Sequence, residues 1–309
     1  MKNLSLAILL LCATVGYAMP IASSARAMVP SEVQQLIGVD YRALKDSPTA
    51  QALKDKVLPQ NLKDLESALK GIGISSARDL DQLDFASFRT EKKGIQTIGV
   101  AQGSFSAKVV LKKLKLKKIS AVKYGTASIY PMDSGLVMTF LDDNTLAFGE
   151  SASLHSALDT RDGKRPSMDS NPLMTDQMSA VDGAPVWSIL DQQGTQAMMF
   201  SAMGDAAKVG DYETLKKRIQ ASRYTMNFQS GVNFDLTVQT ADSMTAATLS
   251  TLLKGVMLYK KLNASPDEKT AIDAASVNSD SSNLQLHFKS DDQKFQSLMN
   301  TPLFAAVSH

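Results

Sequence analysis

The sequence predicts an α+β fold, built from two degenerate repeats of an antiparallel sheet, each covered on one face by helices, with a short helical lead-in. Three observations carry that expectation. Gly94 to Gly103 reads as a strand, and so does Gly231 to Thr240, where Val232, Phe234, Leu236 and Val238 alternate with polar residues. A serine follows twelve residues after the opening glycine in both cases, Ser106 and Ser243, and an amphipathic helix starts there. Serine suits that position because its hydroxyl accepts a bond from an otherwise unpaired amide of the first turn. Beyond each helix the order is again the same: strand, polar turn, strand, helix.

From the N-terminus, Lys2 precedes the apolar run Leu4 to Ala18, which has the layout of a secretory signal peptide and is too short to span a bilayer. Small residues mark two cleavage points, after Ala18 and after Ala27; the pair Ala25 and Ala27 favours the second. Residues 1–27 are therefore expected to be a leader and the mature chain to be periplasmic or secreted. Cys12, the only cysteine, falls in that leader. A mature chain without thiols has no disulfide, no thiolate nucleophile and no Cys-based metal site. Its core alone must hold it together, and a chain of that size buries ~75% of its unfolded surface.

Residues 28–71 are expected to be the helical lead-in, with one helix capped at Ser47. The first repeat spans 72–165 and the second 166–309, separated by the turn-rich stretch Thr160 to Pro172. In the first repeat, LDQLDFASFR pairs with Gly94–Gly103 as a hairpin, and GLVMTF pairs with TLAFGE across Asp142-Asp143-Asn144. That turn is expected to draw on Asp and Asn tolerance of positive φ. In the second repeat the corresponding strands are ASRYTMNFQ, Gly231–Thr240, AIDAASV and NLQLHFKS. Between them, PVWSIL reads as a core strand around Trp187.

Charge is the feature with most functional content. The net charge of the whole chain is +2, which argues against a general polyanion binder. Locally the balance fails: nine lysines and no Asp or Glu lie between Lys92 and Met132. Ala107, Val110, Leu111 and Leu114 form an apolar stripe at i, i+3, i+4, i+7 spacing, so a helix docked on the sheet explains the pattern. Lys108, Lys112, Lys113, Lys115, Lys117 and Lys118 then make an outward anionic-ligand surface, suited to an anionic lipid headgroup or polysaccharide. Nucleic acid is disfavoured, because the stretch has no arginine for base edges and few aromatics for stacking.

Catalytic sets are scarce. His155, His287 and His309 are the only histidines, with no HExxH and no paired metal spacing. His155 and His287 occupy similar places in the two halves, which makes a shared site conceivable. No GxSxG elbow or Walker loop occurs. Ser67–Lys70 and Ser120–Lys123 match SxxK with no KTG to follow. Asp79, Asp81 and Asp84 precede or enter a strand, without the oxygen series of a calcium loop. Met198, Met199 and Met203 share one helix, where core filling is the commoner use and Cu(I) the alternative. No cofactor or metal is expected.

Three stretches, Ala68 to Phe88, IGVAQGSFSAKVVLKKL, and TLAFGESASLHSALD leading to SNPLM, span about residues 60 to 175. Their order resembles groups of uncharacterised exported bacterial proteins, in which a turn of the type Gly-Phe-aromatic opens a helix after a hairpin. Gly103 and Phe105 occupy that turn here. The resemblance implies export and an α+β fold, and it carries over no functional residue. The second half departs from it at Thr240-Ala241-Asp242, where Gly and Phe are missing. The favoured function is a non-catalytic binding or structural module of the cell envelope, whose partner is an envelope protein, anionic lipid or polysaccharide. A hydrolase with a dispersed carboxylate or serine site is the alternative.

Overall fold

The computed structural model describes residues 21–57, 60–90, 94–204 and 212–307. Residues 1–20 of the expected leader, with Cys12, and also Lys92 and His309 lie outside the described residues, whereas residues 21–27 of that leader are described. The chain opens with α1 (Ser23–Arg26), β1 (Val33–Asp40), α2 (Tyr41–Leu44), α3 (Pro48–Val57), α4 (Gln60–Gly71) and α5 (Ser76–Asp79). A hairpin, β2 (Leu80–Thr90) and β3 (Gly94–Gly103), leads into α6 (Ala107–Leu116). Next come β4 (Val122–Tyr124), β5 (Ala127–Pro131), β6 (Val137–Phe140), β7 (Thr145–Gly149), α7 (Ser151–Arg161) and α8 (Pro172–Ser179). Then follow β8 (Val186–Leu190), α9 (Gln192–Met203), α10 (Tyr212–Lys216), β9 (Ile219–Asn227) and β10 (Val232–Thr240). The chain ends with α11 (Ser243–Leu262), α12 (Pro266–Asp273), β11 (Ala275–Asp280), β12 (Asn283–Ser290), α13 (Asp292–Leu298) and α14 (Pro302–Val307).

All twelve strands form one antiparallel sheet, in the order β11-β12-β10-β9-β8-β1-β2-β3-β7-β6-β5-β4. The order is symmetric about the β1–β8 seam. Outward on one side run β1, β2, β3, β7 and β6, and on the other β8, β9, β10, β12 and β11; β5 and β4 extend the first side alone. A long helix connects the inner hairpin to the outer one on each side, α6 in the first and α11 in the second.

Two apolar faces explain why the first half is sandwiched between helices. Ala101, Leu146 and Phe148 pack with Leu69 of α4 and with Val110 and Leu114 of α6. On the reverse face, Leu36, Ala86, Ile98 and Val100 pack with Ala25, Leu154, Leu158, Met174 and Met178 from α1, α7 and α8. In the second half, Leu236 and Val238 meet Leu249 and Leu253 of α11. There the reverse face is polar: Asp235 stands between Thr225 and His287 on the neighbouring strands, and it is exposed.

Several local expectations are corrected. Residues 28–71 are not helical throughout, because Val33–Asp40 is a central strand paired with β2 and β8. Its apolar residues at 33, 36, 37 and 39 fit helical spacing, and only its two strand neighbours decide the matter. The helices α2 to α4 do follow, with Ser47 Oγ accepting from Ala50 N at 3.2 Å. α11 is capped by Asp242, which accepts from Thr245 N at 2.8 Å, and Ser243 is its first helical residue. Ser106 holds the cap position of α6 without making the capping bond. The Asp142–Asn144 turn has no positive φ; it is held by Asn144 N donating to Asp142 Oδ1 at 3.1 Å.

Candidate functional site

Helix α6 lies across β3 and β7 because Ala107, Val110 and Leu114 are buried and Leu111 is half-buried at the spacing that the sequence predicts. The other side of the helix is outward by necessity. Lys108, Lys112, Lys113 and Lys115 are all exposed, as are Lys117 and Lys118 just beyond it.

The structure divides these six lysines into two groups. Lys113 Nζ lies 3.4 Å from Gly73 O, and Lys117 Nζ lies 2.5 Å from Gly71 O. Both donate to carbonyls at the C-terminal end of α4, where backbone acceptors lack partners and positive charge is favoured. These two therefore brace α6 on α4. Lys108, Lys112, Lys115 and Lys118 make no ion pair among the described residues. Lys118 sits at φ 60°, in the left-handed region usually taken by glycine after a helix. Ile119 N closes that turn on Leu114 O at 3.0 Å.

Large apolar side chains stand among the unpaired lysines. Val109 and Leu116 of α6 are exposed, Leu116 by 75%; Val122 of β4 is exposed as well, but its pairing with Ile129 places it on the α7 side of the sheet. The strand register from β3 to β10 places α11 on the same side of the sheet as α6. Helix α11 likewise exposes Leu258, Tyr259 and Leu262, beside Lys254.

The remaining candidates are not brought together. His155 stacks on Tyr124 at 4.0 Å between ring centroids, in the first half. His287 lies 2.6 Å from Asp235 Oδ1 on the polar face of the second. The Tyr124 hydroxyl donates to both oxygens of Asp159 at 3.0 Å, and Lys164 Nζ donates to the same carboxylate at 2.7 Å. Burial raises the pKa of Asp159, but the bonds from Lys164 and Tyr124 outweigh it and hold the group below the usual carboxylate range. Burial, then the Asp159 bond, raises the Tyr124 pKa. The cluster ties β4 to α7 as a closed brace.

Of the SxxK pairs, Lys123 donates to Ser128 Oγ at 2.8 Å, and Ser67 and Lys70 line a shallow cleft of about 530 Å³ with Ser75 and Arg78. A second cleft, of about 630 Å³, lies between β12, α12 and α13 and is lined by Ser230, Asp267, Lys289 and Asp291. Asp291 caps α13 by accepting from Lys294 N at 2.8 Å, and that bond leads in holding its pKa low. Met199 and Met203 are buried beside Leu249 and Leu253, where they fill core volume. Among the described residues no group of three or more His, Cys, Asp or Glu is arranged to hold a metal ion. No helix among them is long and apolar enough to cross a membrane.

One residue was not picked out by its sequence position. Asp84 of β2 is 4% exposed and faces no cation among the described residues; Gln82 Nε2 lies 2.9 and 3.1 Å from its two oxygens. Burial pushes its pKa up to about 8, against the smaller lowering effect of the Gln82 bond. The signal was available: strand alternation in LDQLDFASF places Asp84 with Ala86 and Phe88, both buried.

No family model and no curated protein matches the chain. Solved structures of TP0453 resemble it. Crystal form I gives a TM-score of 0.51 at 9% identity, covering 91% of this chain and 98% of that one. Crystal form III gives 0.50 at 10% identity, covering 89% and 97%. At such identity the likeness is one of fold, and it agrees with the α+β architecture.

Proposed function

We propose that the chain is an exported, non-catalytic module of the cell envelope that docks on an anionic lipid surface through α6. The observation that carries this reading is the set Lys108, Lys112, Lys115 and Lys118, which project without an acidic partner among the described residues, beside Val109 and Leu116. An ordinary solvated helix mixes charge signs. Here lysines attract anionic headgroups, and the apolar side chains between them enter the interface. Lys113 and Lys117 hold α6 rigidly against α4, so the docking face is formed before contact. The exposed Leu258, Tyr259 and Leu262 of α11 extend the apolar contact on the same side of the sheet. Three of the carboxylates that a dispersed hydrolase site could draw on, Asp291, Asp242 and Asp159, serve as caps and braces.

The test is sedimentation with vesicles of phosphatidylcholine alone and of phosphatidylcholine mixed with phosphatidylglycerol. The chain is expected to bind only the mixed vesicles, and less as salt rises. Replacing Lys108, Lys112, Lys115 and Lys118 by Gln lowers binding by up to ~10³-fold, at ~1 kcal/mol per lysine. Replacing Lys113 and Lys117 lowers stability more than binding. Equal binding by the four-lysine variant overturns the proposal. Capture by a soluble anionic polysaccharide with no binding to mixed vesicles would move the partner from lipid to glycan.

A further inference from the structure

We infer that export processing cuts the chain after Ala18, and that residues 21–27 stay as a permanent part of the folded core. This rests on the export reading above. The sequence allows two cuts. Gly16 and Ala18 supply small side chains for the first, and Ala25 and Ala27 for the second. The fold separates them.

Ile21, Ala25, Met28 and Val29 are buried in the core cluster that includes Leu36, Ile98, Leu154 and Met174. The Arg26 guanidinium pairs with Asp169, its Nε at 3.1 Å, and so fastens α1 to the segment between the two halves. The same strap continues as Val29 O accepts from Met168 N at 2.8 Å and Ser31 N donates to Pro166 O at 3.0 Å. Asn171 Nδ2 adds a bond to Ser31 O at 3.2 Å.

A cut after Ala27 would do two things. It would strip Ile21, Ala25 and Arg26 from the strap, leaving Met168 and Met174 facing a void. It would also place a new charged ammonium on Met28, which is 0% exposed. An unpaired charge in an apolar core is strongly disfavoured. A cut after Ala18 removes none of the described core residues, which begin with Ile21, and places no ammonium on Met28.

The test is N-terminal sequencing and intact mass of the full chain recovered from the extracytoplasmic fraction of an export-competent host. A chain starting at Met19 is expected. A chain starting at Met28 overturns this inference and leaves export standing. A chain starting at Met1 and confined to the cytoplasm overturns both. Chains made to start at Met19 and at Met28 give an independent readout. The shorter is expected to melt about 10 °C lower or to fail to fold; equal melting temperatures contradict a core role for residues 21–27.

Discussion

Replacing Asp84 by Asn is expected to flatten a steep fall in stability between about pH 4 and pH 8, and to make the chain more stable than wild type above that range. Asp84 is buried in the sheet with one neutral donor, Gln82, and its pKa is about 8 in the folded chain. In the unfolded chain the group titrates near the ordinary value of 3.8. Between these values the folded chain holds a proton that the unfolded chain has released. Unfolding is therefore favoured as pH rises, by up to ~1.4 kcal/mol per pH unit. The stabilising contribution is complete below the unfolded value and gone above the folded one, an overall swing of up to about 6 kcal/mol. Several other carboxylates, among them Asp79, Asp242 and Asp291, have lowered values and act in the opposite sense at acid pH. The comparison of Asp84→Asn with wild type cancels them. Urea unfolding across the pH range checks the prediction: the difference between the two proteins should grow from about pH 4 to about pH 8 and level off above it. A constant difference would mean that Asp84 is ionised in the fold.

The second large effect lies at the seam of the sheet. Gly38 of β1 pairs with Trp187 of β8 on one side and Asp84 of β2 on the other. The indole of Trp187 covers the glycine so closely that a Cβ there would overlap the ring. Trp187 is itself buried in the core cluster, so moving the ring disturbs its neighbours. Gly38→Ala should therefore cost about 3 kcal/mol, at the upper end of overpacking effects, by moving either the indole or the seam. A second substitution tells strain from a general loss of glycine flexibility. Combining Gly38→Ala with Trp187→Leu should cost less than the sum of the two single changes, because the smaller side chain leaves room for the methyl. Strict additivity would show that the ring is not what excludes the methyl group.

Strands and helices that bury one face were legible in the sequence, and those whose identity depends on neighbours were not. β10 declares itself through Phe234, Leu236 and Val238, and α6 through Val110, Leu111 and Leu114. β1 lies inside the sheet and its apolar residues do not alternate, so pairing with β2 and β8 decides its conformation. The serine spacing on which the expected repeat rests is matched only in part: Ser106 holds the cap position of α6, whereas α11 is capped by Asp242, one residue before Ser243. The lysine surface was visible as a run of one sign. Which lysines are available was not, because the tethering of Lys113 and Lys117 requires knowing where α4 ends in space. Asp84 was passed over as one acid among several, since the number of strands that flank β2 cannot be read from β2 itself. The choice between Ala18 and Ala27 likewise depends on where Ile21 and Ala25 pack, which small-residue patterns do not reveal.

The central claim, docking of α6 on an anionic bilayer, is tested most directly by hydrogen–deuterium exchange of the chain with and without mixed phosphatidylglycerol vesicles. Protection should appear over residues 108–123, and more weakly at the end of α11, while the polar face around Asp235 and His287 exchanges as it does in free solution. Unchanged exchange over 108–123 on vesicles that nevertheless bind the chain would place the contact elsewhere and contradict the account.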